Sequence, residues 1–279
     1  MITFTSLGSY GRLGNQLFQY AFLVGVSQKF KLPIHLPGLS KQVANNQPCL
    51  LNNFCLEYKQ LDPSTILHTR REAELKSNGV FDTYNPTNTE NVLPGTDFFG
   101  LYQSYRYWID YKNIVKEQFK VKDQNIYSYC NEYITNLRNK YNKANIIAIH
   151  LRRGDVTGWY NYDEYKKYLK DVLAQISNAK DNFYCIFSGG STSSQGEKDD
   201  IEWVKNFYNE LPHYEVVQTY NPIIDFILMQ QCDKIILGYI STFAWWSAFL
   251  SEKEVYAPKL FNYNEDIRLN YYPEMFKLF

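Results

Sequence analysis

The sequence carries no excess charge of either sign: Lys+Arg and Asp+Glu stand at 29 each in 279 residues. That balance excludes the broad basic surface that sequence-independent nucleic-acid binding needs, so any positive potential has to be local. Cysteine is sparse and unpatterned. Cys49, Cys55, Cys130, Cys185 and Cys232 are odd in number and scattered, with no C-x-x-C pair or nearby histidine to suggest zinc. Cys185 and Cys232 read as small buried hydrophobes. A reducing, cytoplasmic setting is the economical inference, with peripheral attachment to a membrane left open. No apolar run reaches the length of a membrane span, and the nearest approach, 235–250, is broken by Gly238, Ser241 and Thr242. The start, M-I-T-F-T-S-L-G, lacks a basic stretch followed by an apolar one, so no signal peptide is expected. Internal repeats and long low-complexity segments are also missing.

Aromatic residues, by contrast, are abundant, at 25 tyrosines and 18 phenylalanines. Tyrosine rings line many carbohydrate sites, but a bias of composition explains most of these. Length allows two domains, and the pattern places their boundary near Asn142, giving 1–142 and 143–279. The second half alternates strand and helix. The apolar run Ile146–Ile149 suits a strand buried on both faces. Further strands are expected near 183–187, 215–217, 234–237 and 254–256, the last closing the series. Helices are expected at about 162–176, 199–209, 223–231 and 241–250. That alternation argues for an α/β fold with a parallel sheet and right-handed crossovers. The first half opens with a strand at 2–5, a glycine-rich turn (Gly8, Gly11, Gly14) and a helix with Asn15 or a neighbour as N-cap. Residues 31–100 look irregular and are the expected partner-binding surface. A helix is expected to begin near Ser104.

Three strand-to-helix loops carry the chemistry: Gly11–Gln16, His150–Asp155 and Gly238–Phe243. In open parallel sheets, ligands bind beyond the carboxyl ends of the strands. Arg152 and Arg153 there supply planar N–H forks and fixed charge, which fits a diphosphate better than a neutral ligand. Asp155 reads as a base or as a salt-bridge partner of an arginine. His150 reads as a nucleotide contact or as a core histidine at a strand end. Ser241 and Thr242 open a helix, as anion donors or as a plain N-cap. The glycine spacing is not the G-x-G-x-x-G of dinucleotide-binding folds, and no acidic residue is well placed after the next strand, which disfavours an NAD-type oxidoreductase.

His150-Leu151-Arg152-Arg153-Gly154-Asp155 resembles the H-x-R-R-x-D motif of the α-1,2- and α-1,6-fucosyltransferase superfamily. Gly11-Arg12-Leu13-Gly14-Asn15-Gln16-Leu17-Phe18-Gln19-Tyr20-Ala21 looks like the G-x-x-G-N-Q-x-F-Q-Y-A signature of its α-1,2 branch, glycosyltransferase family 11. Gly100–Trp108 resembles that branch's G-Y-F-Q-S-x-x-Y-F, and Ser241–Trp246 its S-T-F-S-W-W. All four stand in the family's order.

The resemblance implies a GT-B fold, two Rossmann-like domains facing a central cleft. It implies an inverting, metal-independent enzyme with no cofactor. The enzyme would move L-fucose from GDP-β-L-fucose to a hydroxyl of an acceptor glycan, by α-1,2 linkage to galactose. Arg152 and Arg153 would hold the diphosphate and His150 would lie near the guanosine. Gly11, Gly14, Asn15 and Gln16 would approach the donor from the N-terminal, acceptor-side domain. Ser241, Thr242 and Phe243 would bind the β-phosphate. One segment departs from the pattern. Where the family reads F-S-D-D, this chain reads Phe187-Ser188-Gly189-Gly190, with Asp199-Asp200 following a polar loop. Either that loop folds back so that Asp199 or Asp200 reads the nucleotide, or the base is held differently. Two alternatives stay open, an inverting transferase for another GDP-sugar and a catalytically silent glycan- or nucleotide-binding protein.

Overall fold

The structure, a computed structural model, describes all residues except 40–42, 45–46, 78–79, 155–160, 177–178, 190–193, 240 and 260–266. The chain divides into two compact units: Met1–Asp123 with Glu265–Pro273, and Gln124–Asn264 with Glu274–Phe279. Both are mixed α/β with parallel sheets. No helix among the described residues is long and apolar enough to cross a membrane.

In the first unit, β1 (Ile2–Thr3), β2 (His68–Arg71) and β3 (Thr96–Phe99) form a parallel sheet in the order β1-β3-β2. Helix α1 (Leu13–Phe30) is buried on nearly every side from Leu13 to Val26. A helix with apolar residues all round must be central to its unit. Gly25 permits its closest contact, since a Cβ there would lie 2.2 Å from the carbonyl oxygen of Tyr107. Phe22 packs at the centre of an aromatic cluster, 3.8 Å from Tyr102 and 5.0 Å from Phe98 by ring centroid. Many of the tyrosines and phenylalanines are therefore core, not ligand surface. The segment after Ser104 forms two 3₁₀ turns, Tyr105–Tyr107 and Ile109–Tyr111, before the short helix α2 (Lys112–Gln118). The remaining strands of this unit, at 35–36, 43–44, 47–48, 59–60, 75–77, 80–82 and 267–269, form small separate sheets.

The second unit begins with helix α3 (Gln124–Tyr141), which packs on this unit's own elements and so lies ahead of the boundary expected near Asn142. Its buried Cys130, Ile134 and Leu137 fall on one helical face, and Arg138 pairs bidentately with Asp233 at 2.6 and 2.7 Å. Strands β4 (Asn145–Arg152), β5 (Asn182–Gly189), β6 (Tyr214–Val216), β7 (Lys234–Leu237), β8 (Glu254–Ala257) and β9 (Phe276–Leu278) are all parallel, in the order β6-β5-β4-β7-β8-β9. Numbered within this unit the order is 3-2-1-4-5-6, that of a doubly wound nucleotide-binding sheet. Helices α4 (Tyr162–Gln175), α5 (Ser194–Phe207), α6 (Pro222–Gln231) and α7 (Thr242–Ser251) supply the crossovers.

Two expectations fail here. The edge strand β9 follows the one expected to close the series, and α5 begins at Ser194, five residues earlier than expected. Asp199 and Asp200 therefore sit inside a helix, not on a loop folded back over the site. Cys49, Cys130, Cys185 and Cys232 are buried free thiols, in line with the small-hydrophobe reading of Cys185 and Cys232.

Candidate active site

The chain order reverses between β4 and β7, and a crevice opens beyond the carboxyl ends of the strands at such a point. β4 ends in His150, Leu151 and Arg152, and β7 runs through Leu237 and Gly238 to the start of α7. His150 pairs directly with Leu237 across the two strands. Gly238 fits because it has no side chain: a Cβ there would meet the His150 carbonyl oxygen at 2.5 Å. Two motifs far apart in sequence, His150–Gly154 and Ser241–Trp246, are thus brought to one edge.

Strand pleating sends successive side chains to opposite faces. Ile147, Ile149 and Leu151 face the core built with α4 and α5. His150 and Arg152 take the other face, where the His150 ring lies 6.3 Å from that of Phe243 on α7. His150 is buried, and its Nδ1 has no hydrogen-bond partner among the described residues. Burial first, and then the positive charge of Arg152, lower its pKa to about 3, so the ring is neutral. Arg152 itself is half-buried at the strand end. Ser241 is the N-cap of α7, its hydroxyl accepting from the N–H of Ala244 at 3.3 Å. The cap expected at the start of this helix is present. The helix start at Thr242 and Phe243 still presents N–H groups and the positive end of the dipole to an anion. Trp245 and Trp246 are fully buried behind it.

The two arginines lie on opposite faces of β4. Arg153 turns to the other face, where its Nε donates to Asp200 Oδ1 at 3.1 Å and an Nη donates to the Tyr162 hydroxyl at 2.9 Å. Its guanidinium lies 3.9 Å from the Trp203 ring centre. Arg153 is therefore held inside the α4–α5 layer, and Asp200, buried on α5, is its counter-ion. Asp199 is exposed and accepts from Gln195 at 2.8 Å. Asp155, the candidate base, lies outside the described residues.

A carboxylate that sequence reading passed over lies on the His150 face. Asp225, in the first turn of α6, is half-buried, accepts from the Thr219 hydroxyl at 2.6 Å, and has its pKa raised to about 6, mainly by burial. Its neighbour Phe226 packs against Phe243 at 5.4 Å. The only sequence signal was an acidic residue after an Asn-Pro helix start, which reads as routine dipole compensation.

In the first unit, the other two motifs meet at the carboxyl edge of the β1-β3-β2 sheet. Gly11 has φ +77°, and a Cβ there would approach Asn15 Cβ to 2.7 Å. The N-cap of α1 is Arg12 with no side-chain cap bond, not Asn15, which stands in the first turn. Gly14 and Gln16 are buried within the helix. Gln16 donates to the Gly11 carbonyl at 2.8 Å, Gln19 to the Gly100 carbonyl at 2.9 Å, and Gln103 to Asn15 Oδ1 at 2.9 Å. The amides of the G-N-Q segment thus close the glycine turn and tie it to Gly100–Gln103.

The model described as "Glycosyl transferase family 11" matches residues 3–274. The chain belongs to glycosyl transferase family 11. This is the family that its four motifs resemble. Two relatives come from Escherichia coli. An "Alpha-1,2-colitosyltransferase" is 23% identical, aligned over 88% of this chain and 87% of that protein. The "O-antigen biosynthesis glycosyltransferase WbnK" is 24% identical, over 89% and 92%. Among solved structures, a variant of Arabidopsis thaliana FUT1 in complex with GDP matches 95% of this chain and 71% of its own, with a TM-score of 0.56 at 10% identity. At that identity the likeness is one of fold.

Proposed function

We propose that this family 11 glycosyltransferase transfers L-fucose, with inversion, from GDP-β-L-fucose to a hydroxyl of an acceptor glycan, in α-1,2 linkage to galactose. The observation that carries the donor half is the convergence of His150, Arg152 and the start of α7 at the switch point of a 3-2-1-4-5-6 sheet. Inverting transfer breaks the bond between the anomeric carbon and the β-phosphate oxygen, and the electron pair leaves with GDP. The acceptor oxygen bonds to the opposite face of the anomeric carbon and loses its proton. The developing diphosphate charge is met by Arg152 and by the N–H groups and dipole of α7. That arrangement can stabilise the leaving group without a metal, as the family resemblance implies.

Arg153 and Asp200, engaged with each other, have no place in this reading. The contact to guanosine that an F-S-D-D aspartate would make is assigned to Asp225, with the neutral His150 beside it. Gly11, Gly14, Asn15 and Gln16 are assigned to the donor, as the resemblance of their motif implies, and the rest of the first unit to the acceptor. Asp155 is the carboxylate offered as base or as partner of Arg152.

A second reading keeps the reaction and changes the donor to another GDP-sugar. It is favoured by the name of the colitosyltransferase relative, since colitose is fucose lacking one ring hydroxyl. The test is transfer to galactose-terminated oligosaccharides from GDP-fucose and from GDP-colitose, in EDTA, with the product's linkage and anomeric configuration read by NMR. An α-linked product from one donor supports the corresponding reading. Absence of transfer from every GDP-sugar, with GDP bound, would leave a silent binding protein instead.

A further inference from the structure

Glu72 follows β2 at the carboxyl edge of the first unit's sheet and is half-buried, although the run Arg70-Arg71-Glu72-Ala73-Glu74 reads as a solvated charged segment. Each of its carboxylate oxygens accepts a different backbone N–H: Oε2 from Leu101 at 2.6 Å and Oε1 from Tyr102 at 3.0 Å. Its own N–H donates to the Phe99 carbonyl at 2.8 Å.

The backbone that Glu72 grips is bent. Tyr102 has φ +48°, a left-handed conformation that a bulky residue adopts only when its surroundings impose it. Gly100 has φ +158°, and a Cβ there would meet Glu72 Cβ at 2.4 Å, so the carboxylate's stem and the turn occupy adjoining space. Gln19 fixes the Gly100 carbonyl from α1. The residue delivered by this turn is Gln103, whose amide donates to Asn15 Oδ1 at 2.9 Å.

We infer that Glu72 is a positioning residue for sugar transfer, acting through the Gly100–Gln103 turn to fix the side chain of Asn15. The inference rests on the reading above that Asn15 contributes to the donor site. A carboxylate is the group for this task, because it offers two acceptors to two neighbouring N–H groups. An amide in its place offers one acceptor and sets an NH₂ against the other N–H.

The experiment is a double-mutant cycle on transfer kinetics with Glu72→Gln, Asn15→Ala and both together, alongside GDP calorimetry and hydrogen exchange of residues 100–103. Glu72→Gln is expected to lower kcat about tenfold or more, the scale on which small misplacements act. GDP affinity should stay within twofold and exchange at 100–103 should quicken. The double variant should be no slower than Asn15→Ala alone. If wild-type enzyme transfers sugar and Glu72→Gln keeps its kcat, or the two losses multiply, the positioning role is wrong while the transferase reading stands. If Asn15→Ala transfers as well as wild type, the route through Asn15 is wrong. No transfer by wild type from any GDP-sugar overturns the transferase reading and the inference together.

Discussion

Arg153 and Asp200 form a buried ion pair, Nε to Oδ1 at 3.1 Å, with side chains only 12% and 7% exposed. One motif therefore places its two arginines on opposite faces of β4. Arg153 braces β4 against α4 and α5 through Asp200, Tyr162 and Trp203, while Arg152 lies on the His150 face. Removing one member of such a pair leaves an uncompensated buried charge, which costs about 3–5 kcal/mol. Asp200→Ala and Arg153→Ala should each lower stability by that amount in denaturant titration. Replacing both with apolar residues should recover much of the loss. Equal stability of Asp200→Ala and wild type would refute the brace.

Gly238 separates β4 from β7 at the site. Gly238→Ala puts a Cβ 2.5 Å from the His150 carbonyl oxygen and 3.2 Å from Leu151 Cα. Both are main-chain atoms, so the strands themselves must shift. Overpacking of this kind costs about 1–3 kcal/mol, and GDP affinity should fall with it. Thermal melts and calorimetry on the same sample check both, and a variant that keeps wild-type Tm and affinity would show that the strands have slack.

Asp225 sets a pH dependence with a definite sign. Its folded pKa, about 6, lies above the ordinary 3.8, so folding favours its protonated form. Its contribution to stability is present below pH 4 and is lost as pH rises through 6. Asp225→Asn should therefore exceed wild type in stability at pH 8, by on the order of 2 kcal/mol, and the gap should close toward pH 4. The same variant should lose preference for GDP over ADP if Asp225 contacts the base. A stability gap independent of pH would remove the titration argument.

Much of the second unit was legible because strands buried on both faces write unbroken apolar runs, as at Ile146–Ile149. Ser241 announced its helix as a cap. The first unit was legible only at its start, where the strand at Ile2–Thr3 and helix α1 appear as expected, since its other strands, such as Val80–Asp82, are too short to show a period. Helix α5 was entered late because Ser194, Gln195 and Gly196 read as loop. β9 was missed because a three-residue edge strand with Lys277 exposed has no apolar signature. At the site, the placement of Arg152 and Arg153 on opposite faces follows from strand alternation and could have been read. Glu72 and Asp225 could not, because burial of an acid is a tertiary fact.

The central claim is that Arg152 and the start of α7 hold the diphosphate of GDP. Isothermal calorimetry of GDP, GMP, UDP and ADP in EDTA, on wild type, Arg152→Ala and Arg153→Met/Asp200→Leu, tests it most directly. The account predicts that wild type binds GDP well above the other three without metal, that Arg152→Ala weakens GDP at least about a hundredfold, and that the double replacement keeps most of the affinity. Wild-type affinity in Arg152→Ala, a requirement for Mg²⁺, or UDP bound as well as GDP would contradict it.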